Sequence, residues 1–237
     1  MSGEIKVKLP GRGYDIQIGS GLLKRAGGAI RKVSKAKQVL ILSVPKVYGR
    51  YGALILKSLT AHFKKVSVLE ISDGEVHKNE KTLISVLRKM KQLEFHRDSC
   101  VVALGGGVVG DLGGLAASLY MRGTDFVQVP TTLLAQVDAS VGGKTAIDFL
   151  GIKNLIGSFY QPKLVLIDPN VLKSLDARQM RTGLAEIIKY GVIRDLGLFE
   201  KLEKNIDLFF RGDGRFLTFL IRRSVGLKAA IISEDEK

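Results

Sequence analysis

Cysteine, histidine, tryptophan and long apolar runs are scarce or absent in this sequence, and each absence excludes a class of protein. Cys100 is the only cysteine, so the chain cannot form an internal disulfide. Its three histidines lack the spacing of metal ligands. The most apolar stretch, residues 100–121, contains six glycines and Asp111, whereas a membrane span needs about 20 mainly apolar residues. With no hydrophobic signal core at the amino terminus, the sequence predicts a cytoplasmic protein with no membrane partner.

Aromatic residues make up only 7% of the chain, while its net charge is +14, from 37 Lys and Arg against 23 Asp and Glu. A nucleic-acid-binding protein would concentrate such charge in a basic block with interleaved aromatics. Here the basic residues are dispersed over helical patterns. We therefore expect no nucleic-acid partner, and we interpret a few of the lysines as a cationic pocket for an anionic metabolite.

Short apolar runs alternate with helical patterns through the first 169 residues. Continuous apolar strands separated by helices are typical of a mainly parallel sheet covered on both faces, which predicts a Rossmann-like α/β fold. The helical patterns include residues 46–64 and 80–94. Pro10-Gly11-Arg12-Gly13 predicts an antiparallel hairpin between residues 5–9 and 14–18. The other predicted strands are residues 39–42, 66–71, 101–104, 126–129 and 164–167.

From about residue 170 onward the pattern is helical only, at residues 183–193, 198–210 and 216–232. The sequence therefore predicts an α/β domain in residues 1–169, followed by the start of an all-helical domain in residues 170–237. Three helices whose apolar faces have no further partner resemble an incomplete bundle.

A glycine-rich turn follows the strand at residues 101–104 and opens an apolar helix. Glycines at such a corner let backbone N–H groups approach a diphosphate, and the helix amino terminus favours its negative charge. A tight turn would need glycine as well, and the next strand ends without the ribose-binding acid of the Rossmann fingerprint. The motif therefore predicts a phosphate-binding turn of a lineage different from the Rossmann fingerprint. The alternative is a turn whose glycines serve the backbone geometry alone.

Another candidate loop, residues 73–78, reads Asp-Gly-Glu-Val-His-Lys and follows the strand at residues 66–71. Loops at the carboxyl ends of parallel strands border the ligand crevice. An acid there can bind ribose hydroxyls and a lysine can pair with phosphate. The alternative is a polar loop with helix-capping charge.

Residues 130–148 combine two threonines, Asp138 and Gly142-Gly143-Lys144-Thr145. The last four suggest a P-loop, but the earlier glycine and the preceding strand that a P-loop needs are missing, so we reject it. Asp138 and Lys144 are costly to bury unless they are paired or functional. Lys153-Asn154 adds a cation and an amide nearby.

Glu186 and Lys189 lie three residues apart on a predicted helix and share a face among small and apolar neighbours. Such a face lines a cleft or carries an ordinary surface ion pair, and spacing alone leaves both interpretations open.

Taken together, these motifs closely resemble the 3-dehydroquinate synthase family of sugar phosphate cyclases. The resemblance runs from Tyr14 to the last residue. It is carried by the order and spacing of six segments: DGEVHK (73–78), ALGGGVVGDLGG (103–114), YMRG (120–123), VPTTLLAQVDASVGGKTAID (129–148), KNLIGSFYQP (153–162) and GLAEIIKYGVIRD (183–195).

The resemblance implies a homodimeric enzyme with an NAD-binding α/β half and a helical half. Its reaction would convert the sugar-acid phosphate DAHP to 3-dehydroquinate and phosphate in the shikimate pathway. NAD would transiently oxidise an alcohol, and a divalent metal, zinc or cobalt, would hold the reacting hydroxyl.

The resemblance also implies roles for individual residues. Glu186 matches a metal ligand. Substrate-site and catalytic positions are matched by Arg122, Asp138, Lys144, Asn154, Lys189 and Lys228. NAD-binding positions are matched by Asp73, Gly74, Glu75, Val76, His77, Lys78, Gly106, Gly107, Val108, Val109, Gly110, Asp111, Thr131, Thr132, Lys144, Lys153, Val171, Leu172, Lys173 and Ser174.

Two departures from the family pattern change what we expect. Ser43-Val44 stands where the family often has Thr-Asp for the adenosine ribose, which would remove a partner worth about 1–3 kcal/mol. In the family, an arginine and two histidine metal ligands follow the acidic tail, whereas Glu186 is the only matching ligand here. We therefore expect a folded NAD-binding protein with negligible turnover.

Three alternatives stay open at this point. One is a sister cyclase, namely a 2-deoxy-scyllo-inosose, 2-epi-5-epi-valiolone or amino-dehydroquinate synthase. Another is an iron-type polyol dehydrogenase, against which the segments at 129–148 and 153–162 argue. The third is a non-catalytic NAD-binding module.

Overall fold

In the computed structural model, which describes residues 3–235, seven strands form one sheet in the order β1-β2-β9-β6-β5-β3-β4. Every neighbouring pair is parallel except β1 and β2. This confirms the predicted mainly parallel sheet. The strands are β1 (Gly3–Val7), β2 (Tyr14–Ile18), β3 (Gln38–Ser43), β4 (Lys65–Glu70), β5 (Ser99–Gly105), β6 (Asp125–Pro130) and β9 (Leu164–Ile167).

The predicted hairpin is present, because β1 and β2 pair antiparallel with Val7 opposite Tyr14. Its first strand has the expected length of five residues but lies two residues nearer the amino terminus, and it stops at Val7 instead of residue 9. Leu9 accepts a hydrogen bond from the Arg12 amide at 3.2 Å, so the backbone has already entered the turn there.

Helices cover both faces of the sheet, as continuous apolar strands require. One apolar cluster joins α1 and α2 to one face, and a second joins α3 and α4 to the other, where Leu42, Ala103 and Phe126 pack beneath Leu112. These helices are α1 (Ala26–Val33), α2 (Pro45–Thr60), α3 (Glu80–Gln92) and α4 (Gly107–Leu119).

A second, two-stranded sheet was not predicted. Its strands β7 (Lys144–Phe149) and β8 (Ile152–Phe159) pair antiparallel. Seven of the eight residues of β8 are exposed, so the strand lacks the apolar alternation from which a strand is recognised. β7 packs against α4 through the buried Ile147.

Four helices follow β9 and a 3₁₀ turn at Pro169–Ser174, and they pack on the face of the sheet formed by β1, β2 and β9. Their buried apolar faces therefore have a packing partner in the sheet, whereas Val192, Ile193 and Leu196 stay exposed. The predicted helix at 198–210 is two helices separated at Asn205. The domain boundary at residue 169 stays a prediction. The helices are α5 (Ala177–Arg194), α6 (Leu196–Lys204), α7 (Ile206–Phe210) and α8 (Gly214–Glu234).

Helices long and apolar enough to cross a bilayer are absent from residues 3–235.

Candidate functional site

A cleft of about 330 Å³ opens at the carboxyl ends of β3, β5 and β6; we call it the glycine cleft. The register of these neighbouring parallel strands brings their ends together, with Ser43 opposite Leu104 and Gly105 opposite Pro130. Ten of the residues predicted to bind a cofactor line it: Asp73, Gly74, Glu75, Gly106, Gly107, Val108, Val109, Thr131, Thr132 and Ser174.

The glycine turn has the strand–turn–helix form that the sequence predicts. β5 ends at Gly105, α4 begins at Gly107, and the Thr131 amide donates to the Gly105 carbonyl at 2.8 Å. A Cβ atom on Gly106 would lie 3.1 Å from Cγ2 of Thr132, tighter than an ordinary contact. Glycine thus keeps the turn close to the next strand and leaves the N–H groups at the start of α4 open to an anion.

Thr131 gives independent support for a ligand in the glycine cleft. Its side chain is buried, yet its Oγ1 has no hydrogen-bond partner among residues 3–235. A buried hydroxyl without a partner is costly, and a bound group with donors or acceptors would remove that cost.

The predicted 171–174 segment contributes one residue to the glycine cleft. Ser174 lines it and hydrogen-bonds the Tyr51 hydroxyl at 2.6 Å, whereas Val171 and Leu172 are buried in the apolar clusters. Lys173 is not among the lining residues.

Ser43 and Val44 offer no ribose partner. The Ser43 hydroxyl is fully buried and donates to the Leu104 carbonyl at 2.7 Å, so it serves the sheet, while Val44 lines the cleft with an apolar side chain.

Sequence reasoning missed the contribution of α2 to the glycine cleft. Lys46, Arg50 and Tyr51 line it. The four-residue spacing of Lys46 and Arg50 places both on one helix face, a signal that could have identified this basic edge.

Lys78 does not face the glycine cleft. Its side chain is 5% exposed, and its Nζ lies 2.5 Å from Oδ2 of Asp111 and 2.6 Å from Oδ1 of Asn154. In this structure its ammonium contacts Asp111 and Asn154, and Lys78 is not among the residues that line the glycine cleft, so its predicted contact with phosphate stays a prediction. Burial raises the pKa of Asp111 to about 6, although Lys78 opposes the shift.

Asp111 and Asn154 belong to a second cleft of about 480 Å³, which also contains Asp138, Lys144 and Lys228; we call it the lysine cleft. Four residues predicted at the substrate site therefore meet there, although they come from the segment after β6, from β7, from β8 and from α8. Asn154 has φ 55°, a left-handed backbone that asparagine tolerates better than most residues.

Asp138 lies in one turn of π-helix, Ala135–Ala139. Its Oδ1 accepts hydrogen bonds from the Tyr190 hydroxyl and from Nζ of Lys228, each at 2.7 Å. Burial alone would raise the pKa of Asp138, but Lys228, Tyr190 and Lys189 together outweigh it and lower that pKa. Asp138 therefore stays ionised. Tyr190 is a site residue that sequence reasoning missed.

Lys144 owes its position to the two left-handed glycines before it. Gly142 and Gly143 have φ 110° and 67°, values that other residues rarely adopt. The Gly142 amide donates to the Tyr14 hydroxyl at 3.0 Å, and its carbonyl accepts from the Gln161 side chain at 3.0 Å. The turn is thus fixed from both sides and directs β7 into the lysine cleft.

Glu186 and Lys189 form an ion pair on α5. Lys189 lies near enough to Asp138 and Lys228 to affect the pKa of each. Within residues 3–235, no three His, Cys, Asp or Glu side chains come together as metal ligands. Glu186 is therefore at most one member of a metal site.

The remaining predicted residues lie away from both clefts or at their edges. Arg122 is exposed on the turn after α4, whose 13 residues correspond to about 20 Å. Lys153 is exposed on β8 beside Asn154. Val76, His77 and Gly110 do not line either cleft.

A parallel sheet with a glycine cleft at its strand ends, beside a cleft lined by lysines, is an arrangement typical of α/β proteins with a nucleotide site next to a small-molecule site. A family model described as 3-dehydroquinate synthase N-terminal matches residues 68–182, and one described as 3-dehydroquinate synthase C-terminal matches residues 183–237. The chain belongs to the 3-dehydroquinate synthase family.

Individual relatives agree with this assignment. A 3-dehydroquinate synthase of Microcystis aeruginosa is 47% identical over 98% of this chain, which spans 64% of that protein's length. A crystal structure of 2-deoxy-scyllo-inosose synthase with carbaglucose-6-phosphate, NAD⁺ and Co²⁺ is 25% identical with a TM-score of 0.90, covering 98% of this chain and 63% of that one. A 2-epi-5-epi-valiolone synthase from Streptomyces hygroscopicus with NAD⁺ and Zn²⁺ is 34% identical with a TM-score of 0.85, covering 94% and 62%.

Proposed function

We propose that this chain forms the NAD-binding part and much of the substrate-binding part of a 3-dehydroquinate synthase, a phosphate-eliminating lyase that converts DAHP to 3-dehydroquinate. The observation that carries the proposal is that α4 borders both clefts. Gly107 and Val108 line the glycine cleft, and Asp111, one turn later, lines the lysine cleft. A nicotinamide cofactor and a sugar acid bound there would lie side by side, as hydride transfer requires.

The glycine cleft fits NAD. The start of α4 offers backbone N–H groups to a diphosphate, Thr131 offers an unpartnered hydroxyl, and Lys46 and Arg50 add positive charge. When bound, NAD would accept hydride from a substrate alcohol, which acidifies the neighbouring carbon so that phosphate can leave. Asp73 and Glu75 are the lining carboxylates available to ribose hydroxyls.

The lysine cleft fits a ligand with two negative charges and several hydroxyls. Lys144 and Lys228 line it, and Lys189 lies near Asp138. Such cations neutralise a phosphate and a carboxylate, while the Asp138 carboxylate can accept hydrogen bonds from hydroxyls and the Asn154 amide can donate hydrogen bonds to them. These features support a sugar-acid phosphate as the substrate class.

The divalent metal, zinc or cobalt in this proposal, is not accounted for by the described residues. Glu186 is the one predicted ligand, and zinc sites in enzymes use three protein ligands. We expect negligible turnover from these 237 residues alone. Arg122 and Lys153 lie outside the two clefts in which the cofactor and the substrate would bind. We also propose a homodimer in the cytoplasm, with no nucleic-acid partner.

NAD titration of the 237-residue chain, with and without zinc, tests the cofactor proposal. We expect micromolar to millimolar binding that zinc does not change. Absence of NAD binding would refute the proposed cofactor site. Metal-dependent formation of dehydroquinate would contradict the expected inactivity. For the whole protein, separate assays with DAHP and with glucose 6-phosphate distinguish 3-dehydroquinate synthase activity from that of a sister cyclase, because only DAHP yields dehydroquinate.

A further inference from the structure

Tyr190 links α5 to Asp138, which lines the lysine cleft, although it matches none of the predicted site positions. The residue is only 3% exposed and lies in the apolar cluster that joins the helices to β2. Its hydroxyl donates to Oδ1 of Asp138 at 2.7 Å across 52 residues of sequence. The same ring lies 5.2 Å from Nζ of Lys189 in a cation–π contact.

The two oxygens of Asp138 have different surroundings. Oδ1 accepts from both Tyr190 and Lys228, and Nζ of Lys228 also donates to the Asp138 carbonyl at 2.7 Å. No residue in the range 3–235 donates a hydrogen bond to Oδ2. The Asp138 side chain is 29% exposed and lines the cleft, so Oδ2 is the oxygen available to a ligand.

Tyr190 can act only as a donor in this arrangement. Burial, together with the charges of Asp138 and Glu186, raises the pKa of its phenol. The phenol therefore keeps its proton at neutral pH. A fixed donor on Oδ1 sets the rotation of the carboxylate, and hence the direction in which Oδ2 points.

We propose that Tyr190 is a positioning residue: with Lys228 it holds Asp138 by Oδ1, so that Oδ2 is presented to a hydroxyl of the ligand in the lysine cleft. This inference rests on the proposed function for the identity of that ligand. It gives the cleft a selectivity that its lysines cannot supply, because cations recognise charge whereas an oriented carboxylate recognises a hydroxyl donor.

Tyr190→Phe isolates the hydroxyl, because the phenyl ring keeps both the core packing and the contact with Lys189. The first readout is the carbon-13 NMR titration of the Asp138 carboxylate in the 237-residue chain, assigned with Asp138→Asn. The groups that act on Asp138 are Lys228 from α8 and Tyr190 and Lys189 from α5, with Asp111 and Lys144 lining the same cleft. Loss of one donor shifts the titration midpoint upward.

An unchanged midpoint in Tyr190→Phe would overturn the proposal. Tyr120→Phe is the matched control, since it also removes a hydroxyl hydrogen bond, to the Phe95 carbonyl at 2.8 Å, away from both clefts; its Asp138 midpoint stays that of the wild type. If Tyr190→Phe does not fold, 3-fluorotyrosine at position 190 replaces it, because a more acidic phenol donates more strongly and shifts the midpoint downward.

The second readout separates hydroxyl recognition from anion recognition. With NAD saturating, we expect Tyr190→Phe to bind DAHP about tenfold more weakly, while its affinity for sulfate, which has no donor hydroxyl, is unchanged. Equal losses for both ligands would indicate a general defect of the cleft and overturn the inference. If the wild type binds no DAHP, the proposed substrate fails, and the NMR titration still decides the role of Tyr190.

Discussion

At the scale of single residues, the lysine cleft holds two carboxylates whose environments move their pKa values in opposite directions. Lys228 and Tyr190 lower the pKa of Asp138, whereas burial raises that of Asp111 to about 6 despite its pairing with Lys78. One site can thus contain a group that is ionised at neutral pH and a group that exchanges its proton near neutral pH, a pattern typical of acid–base chemistry. The contacts of Lys78 and Asp111 lead to two predictions.

Lys78→Met leaves Asp111 partly buried beside Asn154 without its cation. Breaking such a pair from one side is strongly destabilising, and we expect a loss of about 3 kcal/mol in the free energy of unfolding at neutral pH. Urea unfolding measures it. The control is Lys37→Met, which breaks the exposed pair with Asp98 and should cost no more than about 1 kcal/mol. Equal losses in the two variants would show that burial of the Lys78 pair is energetically unimportant.

The pH dependence of stability reports on Asp111 itself. Because its pKa is raised from 3.8 to about 6, the folded state keeps a proton that the unfolded state releases in this range. This group's contribution to stability is therefore greatest below pH 4 and declines as pH rises to 6, with a slope of at most about 1.4 kcal/mol per pH unit. Asp111→Asn should lack that slope in urea unfolding from pH 4 to 6. Parallel curves for the two proteins would contradict the raised pKa.

At the scale of elements, α4 determines the site, because its first turn serves one cleft and its second turn the other. Small residues make this possible: Gly113 and Gly114 bring the helix close to Leu42 and Phe126 of the sheet beneath it. The β7–β8 hairpin packs on the outer side of the same helix and brings Lys144 and Asn154 to it.

Gly107→Ala tests the first turn of α4 directly. Its Cβ would lie 3.7 Å from Cβ of Ala139, an ordinary contact, so the fold should be kept or stabilised by up to about 1 kcal/mol. The methyl group would stand where a diphosphate approaches, and we expect NAD affinity to fall at least about tenfold by calorimetry. The control is Gly49→Ala, on the exposed side of α2, which should also keep or raise the stability but leave the NAD affinity unchanged. Unchanged NAD affinity in Gly107→Ala would argue against the glycine turn as the diphosphate site.

At the scale of the whole molecule, the β7–β8 hairpin presents an exposed apolar edge. Leu150 is 82% exposed and Ile152 56% exposed, and β8 is an edge strand with no further partner in residues 3–235. Exposed apolar edges are characteristic of association.

The proposed homodimer would give this edge a partner. We expect Leu150→Asp/Ile152→Asp to convert a dimer to a monomer in sedimentation velocity, without loss of NAD binding. Leu54→Asp, at a 40% exposed position on α2, should remain dimeric. A wild-type chain that sediments as a monomer at every concentration would refute the homodimer.

The sequence by itself determined the alternation of buried strands and helices, the amino-terminal hairpin, the glycine turn and the family, because these depend on local periodicity and on motif order. Only the tertiary structure decided that Lys78 pairs with Asp111 and Asn154, that Tyr190 donates a hydrogen bond to Asp138, and that β7 and β8 form a separate sheet. The first two depend on contacts between side chains that lie tens of residues apart in the sequence. The third depends on a strand that is too exposed to show the apolar alternation of a buried strand. Local sequence cannot encode such contacts, since they follow from how α4, α5 and α8 pack around one cleft.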